Sequence, residues 1–305
     1  MLREFIVSKL NVTTVYVVLI LASLLPLHKA VGERSQNSDV LPPLGWYVYP
    51  SSEIEKMGDG SHECFNRSRN DWKVTTEGNE IEISKLPRPN RGASSAVVLM
   101  PARLTLQPGM PGKAVAAGLK TAMHLHEGWL LAYDAGEWGG GLWLTNEDGS
   151  VAKRIVDENV HGVVPMDRGF LVLSGLAHMG MDFGNARFFS TPNGLNTALR
   201  FSVRLDGAPR AYAKESDGNV LFVTTEGLSR VNKNGELQAL ARLPKWTKFQ
   251  YANSMAILSD GSVFVGMRMF VLRLSPSSDG YTQQWLLPVE CRAFHVEPGD
   301  CVCAP

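Results

Sequence analysis

The second half of the chain repeats one pattern four times. Each copy has an alternating stretch, a turn that ends in glycine, and a dense apolar strand, and the turn glycines are Gly128, Gly169, Gly218 and Gly261. These glycines are 41, 49 and 43 residues apart, which is the period of a propeller blade. Because such a unit buries its apolar surface only against its neighbours, the repeat constrains the fold more than any single motif does.

The interior of each repeat predicts about four short strands. After "VLFVTTEG" come "LSRVNKNG" and "ELQALARLP", and after "VFVGMRM" come "FVLRLSPSSDG" and "YTQQWLLP". The Asn-Gly and Asp-Gly pairs between these stretches are turn residues, because they reach positive φ at low cost. We expect the dense apolar run to be the first strand of its blade, buried on both faces between neighbouring blades.

The pattern predicts an all-β protein, specifically a β-propeller of about six four-stranded blades, with five or seven as alternatives. Residues 117–290 supply four regular blades, and residues 33–116 supply degenerate blades or an N-terminal extension. Strand pairs that begin at Trp72 and at Ser94 are the candidates for two degenerate blades. A separate N-terminal domain is the competing interpretation. The 29 glycines and 17 prolines favour many tight turns over long helices.

The blade outline of residues 117–290 resembles bacterial exported β-propellers of the NHL, YVTN and quinoprotein-like kind. The resemblance is one of repeat form, so it implies the fold and brings no catalytic residue with it. The chain lacks the Gly-His and Trp-Asp signature of Trp-Asp repeats, and it lacks the tryptophan-docking motif of quinoproteins. We therefore expect no cofactor.

The N-terminus has the pattern of an export signal. Arg3 and Lys9 precede an uncharged apolar run that ends near Pro26, and this run is a little short for a membrane-spanning helix. Ala30 and Gly32 supply the small residues of a cleavage site, so residues 1–32 are predicted to be a signal peptide. The expected location is periplasmic or secreted. The alternative is an uncleaved anchor, which would be the protein's only link to a membrane.

The cysteines fit an oxidising compartment. The chain has four, Cys64, Cys291, Cys301 and Cys303, and the last three lie in a cysteine-rich tail, residues 291–305. An even count predicts disulfides, with three pairings open and a bridge from Cys64 to the tail favoured. The competing interpretation is a metal site that adds His295 to the tail cysteines, but "CVC" lacks the usual ligand spacing.

Two connections between strands are longer than the corresponding connections in the other repeats. "DAGEWGGGLW" is four residues longer than its counterpart "TTEGLS", and "GLAHMGMDFGNARFF" is longer still. Both fall on adjacent blades, on the face opposite the Asp-Gly turns, and extra loop length on a regular scaffold is where binding residues are placed. We therefore expect a binding surface made by Glu137, Trp138, His178, Met179, Met181, Asp182, Phe183 and Arg187. The alternative for Trp138 is a buried plug between blades.

Catalytic patterns are weaker. His124 and His126 are two residues apart, so on a strand they point the same way and could share a metal ion, but no third ligand is fixed by spacing. No metal site is predicted, and these two histidines, with His178, are the weak candidates for a periplasmic metal-dependent hydrolase or lyase. The chain has neither a G-x-S-x-G nucleophile motif nor a phosphate-binding loop.

The sequence thus favours an exported propeller that works by binding and not by catalysis. With 30 basic and 30 acidic residues, nothing favours nucleic acid, so the expected partner is a protein or a small molecule. An immunity-type inhibitor that blocks a toxin is the most specific form of this hypothesis. The alternatives are the metal-dependent enzyme and an envelope scaffold with no discrete site.

Overall fold

A computed structural model of the chain describes residues 41–50, 70–86, 119–193 and 196–289. The chain divides into two compact units, Met1–Leu41 and Pro42–Pro305, and all the strands described below belong to the second. Three strands precede the repeats: β1 (Trp46–Tyr49), β2 (Trp72–Glu77) and β3 (Glu80–Lys85). The last two form an antiparallel pair, as predicted from Trp72 onward.

Four sheets of four antiparallel strands follow one another along the chain. Blade 1 contains β4 (Leu119–Leu125), β5 (Gly128–Asp134), β6 (Gly140–Thr145) and β7 (Ala152–Val156). Blade 2 contains β8 (Val160–Met166), β9 (Gly169–His178), β10 (Met181–Asn193) and β11 (Asn196–Leu205). Blade 3 contains β12 (Pro209–Lys214), β13 (Val220–Thr224), β14 (Gly227–Val231) and β15 (Leu237–Arg242). Blade 4 contains β16 (Ser254–Ile257), β17 (Val263–Gly266), β18 (Val271–Ser277) and β19 (Gly280–Pro288).

The first strand of each blade lies next to the first strand of the following blade, so β4, β8, β12 and β16 are the innermost strands. This confirms the propeller. It also corrects the strand order, because the dense apolar run is the second strand of its blade and not the first. The alternating stretch before it forms the inner strand.

The core explains why the second strands read as continuous apolar runs. Each apolar cluster lies between two neighbouring blades. On β9, Phe170 and Val172 pack toward blade 1, while Leu171 and Leu173 pack toward blade 3. A strand covered on both faces needs apolar residues at every position, and a half-covered strand needs them only at alternate positions.

The N-terminal strands associate with blade 4, at the far end of the sequence. β1 pairs with β19 and becomes a fifth, outer strand of that blade, with Trp46 opposite Pro288 and Tyr49 opposite Trp285. β2 packs beside β16 and β17, where Trp72 and Val74 join an apolar cluster with blade 4. The β2–β3 pair is thus a separate two-stranded sheet packed against blade 4, and its membership of a further blade stays a prediction.

Several sequence predictions fall outside the described residues. These are the signal peptide at residues 1–32, the further degenerate blade from Ser94 onward, and all four cysteines, which are Cys64, Cys291, Cys301 and Cys303. In the portion of the chain that is described, no helix has the length and apolar character needed to cross a membrane.

Candidate functional site

Antiparallel blades separate their connections into two faces. One face, here called the loop face, carries the hairpins between second and third strands and the linkers between blades. The hairpins are residues 135–139, 179–180, 225–226 and 267–270, and the linkers are 157–159, 206–208 and 243–253. The opposite face, here called the turn face, carries the Asp-Gly turns. The predicted separation of the two kinds of connection is therefore confirmed.

Three aspartates of the turn face accept hydrogen bonds from the backbone of their own turns. Asp148 accepts the backbone N–H of Ser150, and Asp260 accepts the N–H of Ser262. Asp217 does the same with Asn219. Aspartate is frequent here because its side chain closes the turn, so these residues need no ligand to explain them.

His124 and His126 also lie on the turn face. Nε2 of His124 is 2.7 Å from Oε1 of Glu147, whose other oxygen accepts Nε1–H of Trp129 at 3.3 Å. The His126 side chain is 91% exposed, and its Nδ1 lies 3.9 Å from Glu127. Within the described ranges, no three His, Cys, Asp or Glu side chains are placed to hold a metal ion together.

The long connection in blade 1 is a fixed structure on the loop face. Gly136–Trp138 forms a single 3-10 turn, flanked by Gly139 with a φ of 91°. Asn159, a buried residue of the next linker, accepts the N–H of Ala135 at 3.2 Å and donates to the carbonyl of Gly136 at 2.8 Å. Trp138 is 83% exposed, so the alternative that it plugs the space between blades is wrong.

The long connection in blade 2 is an extended hairpin and not a loop. β9 and β10 stay paired up to His178 and Met181, and the turn consists of Met179 and Gly180, both with positive φ. Nε2 of His178 lies 2.8 Å from Oε2 of Glu137, an ion-pair distance without the alignment of a hydrogen bond. The structure therefore brings the two predicted segments into contact.

The other predicted residues make contacts within the scaffold. Oδ1 of Asp182 accepts the N–H of Ala208 at 2.8 Å, which ties blade 2 to the linker before blade 3. The Phe183 ring lies under the guanidinium of Arg204, 5.4 Å away. Arg187 forms a two-pronged pair with Glu158 at 2.6 and 3.0 Å and is only 19% exposed. Arg187 thus stabilises the join between blades 1 and 2.

Sequence reasoning missed a feature of the inner strands. β4, β8 and β12 each carry a one-residue β-bulge at the same position, and the bulged residues are Lys120, His161 and Arg210. The pairing of β16 has no such bulge. Bulges re-aim a side chain and are frequent beside functional sites. Aligning the inner strands of the repeats would have shown the signal, a basic residue at the same point in three blades.

Asp134 contacts two of these three basic residues. Its Oδ2 is 3.3 Å from Nδ1 of His161 and 3.9 Å from Nζ of Lys120. Burial by itself would raise the pKa of Asp134, but the hydrogen bond and charge of His161, with help from Gly136 and Lys120, lower it to about 2. The carboxylate is therefore ionised at any physiological pH.

A pocket of about 260 Å³ opens on the loop face beside these residues. It is lined by the β9–β10 turn, by Arg210 and Thr225 of blade 3, and by Lys248 and Tyr251 of the linker to blade 4. Tyr251 has a φ of 50°, and its ring lies 4.6 Å from the guanidinium of Arg268. The pocket thus lies between blade 2, blade 3 and the linker to blade 4, and ligand sites commonly lie where structural units meet.

No family model matches the chain, and no curated protein sequence matches it. Among solved structures, a gluconolactonase from Xanthomonas campestris is similar at 14% identity, with 56% of each chain covered and a TM-score of 0.32. Virginiamycin B lyase from Staphylococcus aureus is similar at 12% identity, with 70% of this chain and 69% of that one covered and a TM-score of 0.38.

A third similar structure is a protein of unknown function from Bacteroides caccae, at 15% identity, with 70% of this chain and 72% of that one covered and a TM-score of 0.37. The chain spans about half the length of the gluconolactonase. At these identities and scores no activity or substrate transfers from one protein to another. The chain's own radially packed sheets make it a β-propeller, and its function has to follow from its site.

Proposed function

We propose that this protein is a binding propeller whose partner docks on the loop face, on the surface formed by residues 135–139 and the β9–β10 turn. The observation that supports the proposal is the exposure of large apolar side chains on backbone that is held in place. Trp138 is 83% exposed and Met179 is 87% exposed, although Asn159 and the Glu137–His178 pair fix their segments. Rigid, exposed aromatic side chains supply much of the free energy of protein interfaces.

The shape of the surface favours a protein as the partner. Trp138 projects from the scaffold, so the concave half of the contact has to come from the partner, and a small molecule cannot enclose a tryptophan. Met179 and Met181 are exposed on the adjoining hairpin and can adjust to a partner's shape. The Glu137–His178 pair adds polar groups at the edge of this apolar centre, an arrangement typical of interfaces.

The more specific form of the proposal is that the partner is a toxin met outside the cytoplasm, which the propeller neutralises by covering its surface. It depends on the export signal predicted in residues 1–32. N-terminal sequencing of the protein recovered from the periplasm or medium tests that step, with a mature chain that begins at Glu33 as the expected result. A chain that retains its first residues in the cytoplasm would contradict it.

The docking surface is tested by site-specific photo-crosslinking. A benzophenone side chain at position 138 is expected to capture one partner protein in cells, while the same group at Val151, which is 59% exposed on the turn face, is expected not to capture it. With the partner identified, Trp138→Ala and Met179→Ala should each weaken binding by about tenfold, and Val151→Ala by less than about twofold. An unchanged affinity in the Glu137→Ala, Trp138→Ala double variant would contradict the proposal.

Two further observations distinguish this proposal from the alternative functions. A metal-dependent hydrolase or lyase predicts a bound divalent ion that is lost in the His124→Ala, His126→Ala double variant, and metal analysis of the purified protein measures this. An envelope scaffold predicts that no single side chain of the loop face matters for association.

A further inference from the structure

Arg210 is a half-buried cation that forms no ion pair with a described residue. It also makes no hydrogen bond with any described residue, and its Nε is buried without a partner. Lys120 and His161, at the equivalent positions of the two preceding blades, contact the carboxylate of Asp134. The third bulged residue therefore repeats the placement of the other two without their direct contact to Asp134.

The carboxylates near Arg210 act on it only from a distance. Burial lowers the pKa of Arg210, although the charges of Asp134 and Asp182 oppose the shift. Its guanidinium lies 5.8 Å from the Tyr251 ring, but Arg268 lies closer to the same ring. A partly desolvated guanidinium without a hydrogen-bonded anion is unfavourable, so its position at this bulge requires another explanation.

The pocket supplies that explanation. Arg210, Thr225 and Lys248 line the same 260 Å³ space. Thr225 is 4% exposed, and its Oγ1 has no hydrogen-bond partner, so an unsatisfied hydroxyl lines the pocket together with the unpaired guanidinium. Two cationic side chains and a hydroxyl that line one open space form a donor set for an oxyanion.

We propose that this pocket binds a small organic anion, with a phosphate or carboxylate group held by Arg210, Thr225 and Lys248. The planar guanidinium matches either group with two parallel hydrogen bonds. The apolar part of the ligand lies against Met179, Met181 and Tyr251, which line the same pocket. Asp182 also lines it, and its charge disfavours a ligand with a second anionic group. This site shares the β9–β10 turn with the docking surface, but its three anion-binding residues lie outside that surface.

The test is calorimetric titration of the full chain with three ligands that share one ring: phenyl phosphate, benzoate and benzyl alcohol. At matched ionic strength, one or both anions are expected to bind, and the neutral alcohol is not. Stronger binding of phenyl phosphate assigns the natural ligand to phosphates, and stronger binding of benzoate assigns it to carboxylic acids.

Substitutions locate the binding. Arg210→Met, which keeps the length of the side chain and removes its charge, should weaken anion binding by at least about tenfold. Arg204→Met is the matched control, because Arg204 is exposed over Phe183 and does not line the pocket. It should change binding by less than about twofold, and so should Trp138→Ala, which separates this site from the docking surface.

Two further variants protect the test against misfolding. Circular dichroism establishes whether Arg210→Met is folded, and if it is not, Thr225→Val and Lys248→Met test the same pocket, with binding expected to weaken by about threefold in each. The proposal is overturned if neither anion binds at about 10 mM, if benzyl alcohol binds as tightly as the anions, or if the folded pocket variants bind as well as the wild type.

Discussion

Replacing Glu158 by glutamine tests the ionic network that joins blades 1 and 2. The carboxylate of Glu158 accepts hydrogen bonds from Arg187 at 2.6 and 3.0 Å, from Ser174 at 2.8 Å and from Asn185 at 3.0 Å. Burial alone would raise the pKa of Glu158, but these hydrogen bonds and the charge of Arg187 lower it from 4.5 to about 2. The folded state therefore stabilises the ionised form of Glu158 relative to its protonated form.

The size of the effect follows from the linkage between protonation and folding. One pKa unit corresponds to about 1.4 kcal/mol, so the full shift sets an upper bound of about 3 kcal/mol on the stabilisation of the ionised state. The side chain is 22% exposed, and solvent screening reduces the expected value to about 2 kcal/mol. Because folding lowers the pKa, this stabilisation is present above pH 4.5 and is lost as the pH falls toward 2.

Urea unfolding at pH 7 and pH 3 measures the prediction. The wild type should be more stable than Glu158→Gln at pH 7, and the difference should shrink by about 1 kcal/mol at pH 3. Asp157→Asn is the matched control, because Asp157 is the residue next to Glu158 and its own carboxylate is 81% exposed. Its effect on the free energy of unfolding should stay within about 0.5 kcal/mol at both pH values. A Glu158→Gln difference that does not depend on pH would refute the reasoning.

Two other perturbations test the packing and the site. A Cβ at Gly162 would lie 2.1 Å from the ring of Tyr212, so Gly162→Ala should lower the free energy of unfolding by about 2 kcal/mol, and by less in a Tyr212→Leu background, as measured by urea unfolding. Asn159→Ala removes the two hydrogen bonds that tie the 135–139 segment to the next linker. The Ala135 N–H keeps its bond to the Gly139 carbonyl, so its hydrogen exchange should become faster without reaching the unprotected rate, while exchange in β13 stays unchanged.

The fold could be predicted because its main determinant is local. Turn glycines followed by apolar runs mark every blade, and the two-sided packing of β9 is visible as an unbroken apolar run. The inner strands were harder, since a strand that faces the centre on one side carries a mixed pattern such as "TAMHLH". The pairing of Trp46–Tyr49 with β19 joins segments that are far apart in the sequence. A local sequence pattern does not predict a contact between segments so far apart.

The candidate site also contains residues that could be predicted from the sequence and residues that could not. Extra length identified Glu137, Trp138 and His178, because an insertion is visible against a regular repeat. Arg187 was expected in a loop, but β10 continues through it and places it on the same side as Asn185, where both reach Glu158. Arg210 was not predicted, because a β-bulge is an irregularity in strand pairing and the amino-acid composition does not determine the pairing register.

The proposed binding functions of the loop face depend on its departures from the repeat. A propeller needs only short turns and packed sheets to be stable, and blades 3 and 4 largely keep to that plan. Blades 1 and 2 add a fixed segment with an exposed tryptophan and a projecting hairpin, and the inner strands of blades 1 to 3 add three aligned basic residues. All of these additions lie at one end of the same three blades. If they served stability alone, removing the Trp138 or Arg210 side chain would change only unfolding. If they serve binding, the two substitutions should leave the fold intact and weaken two different associations.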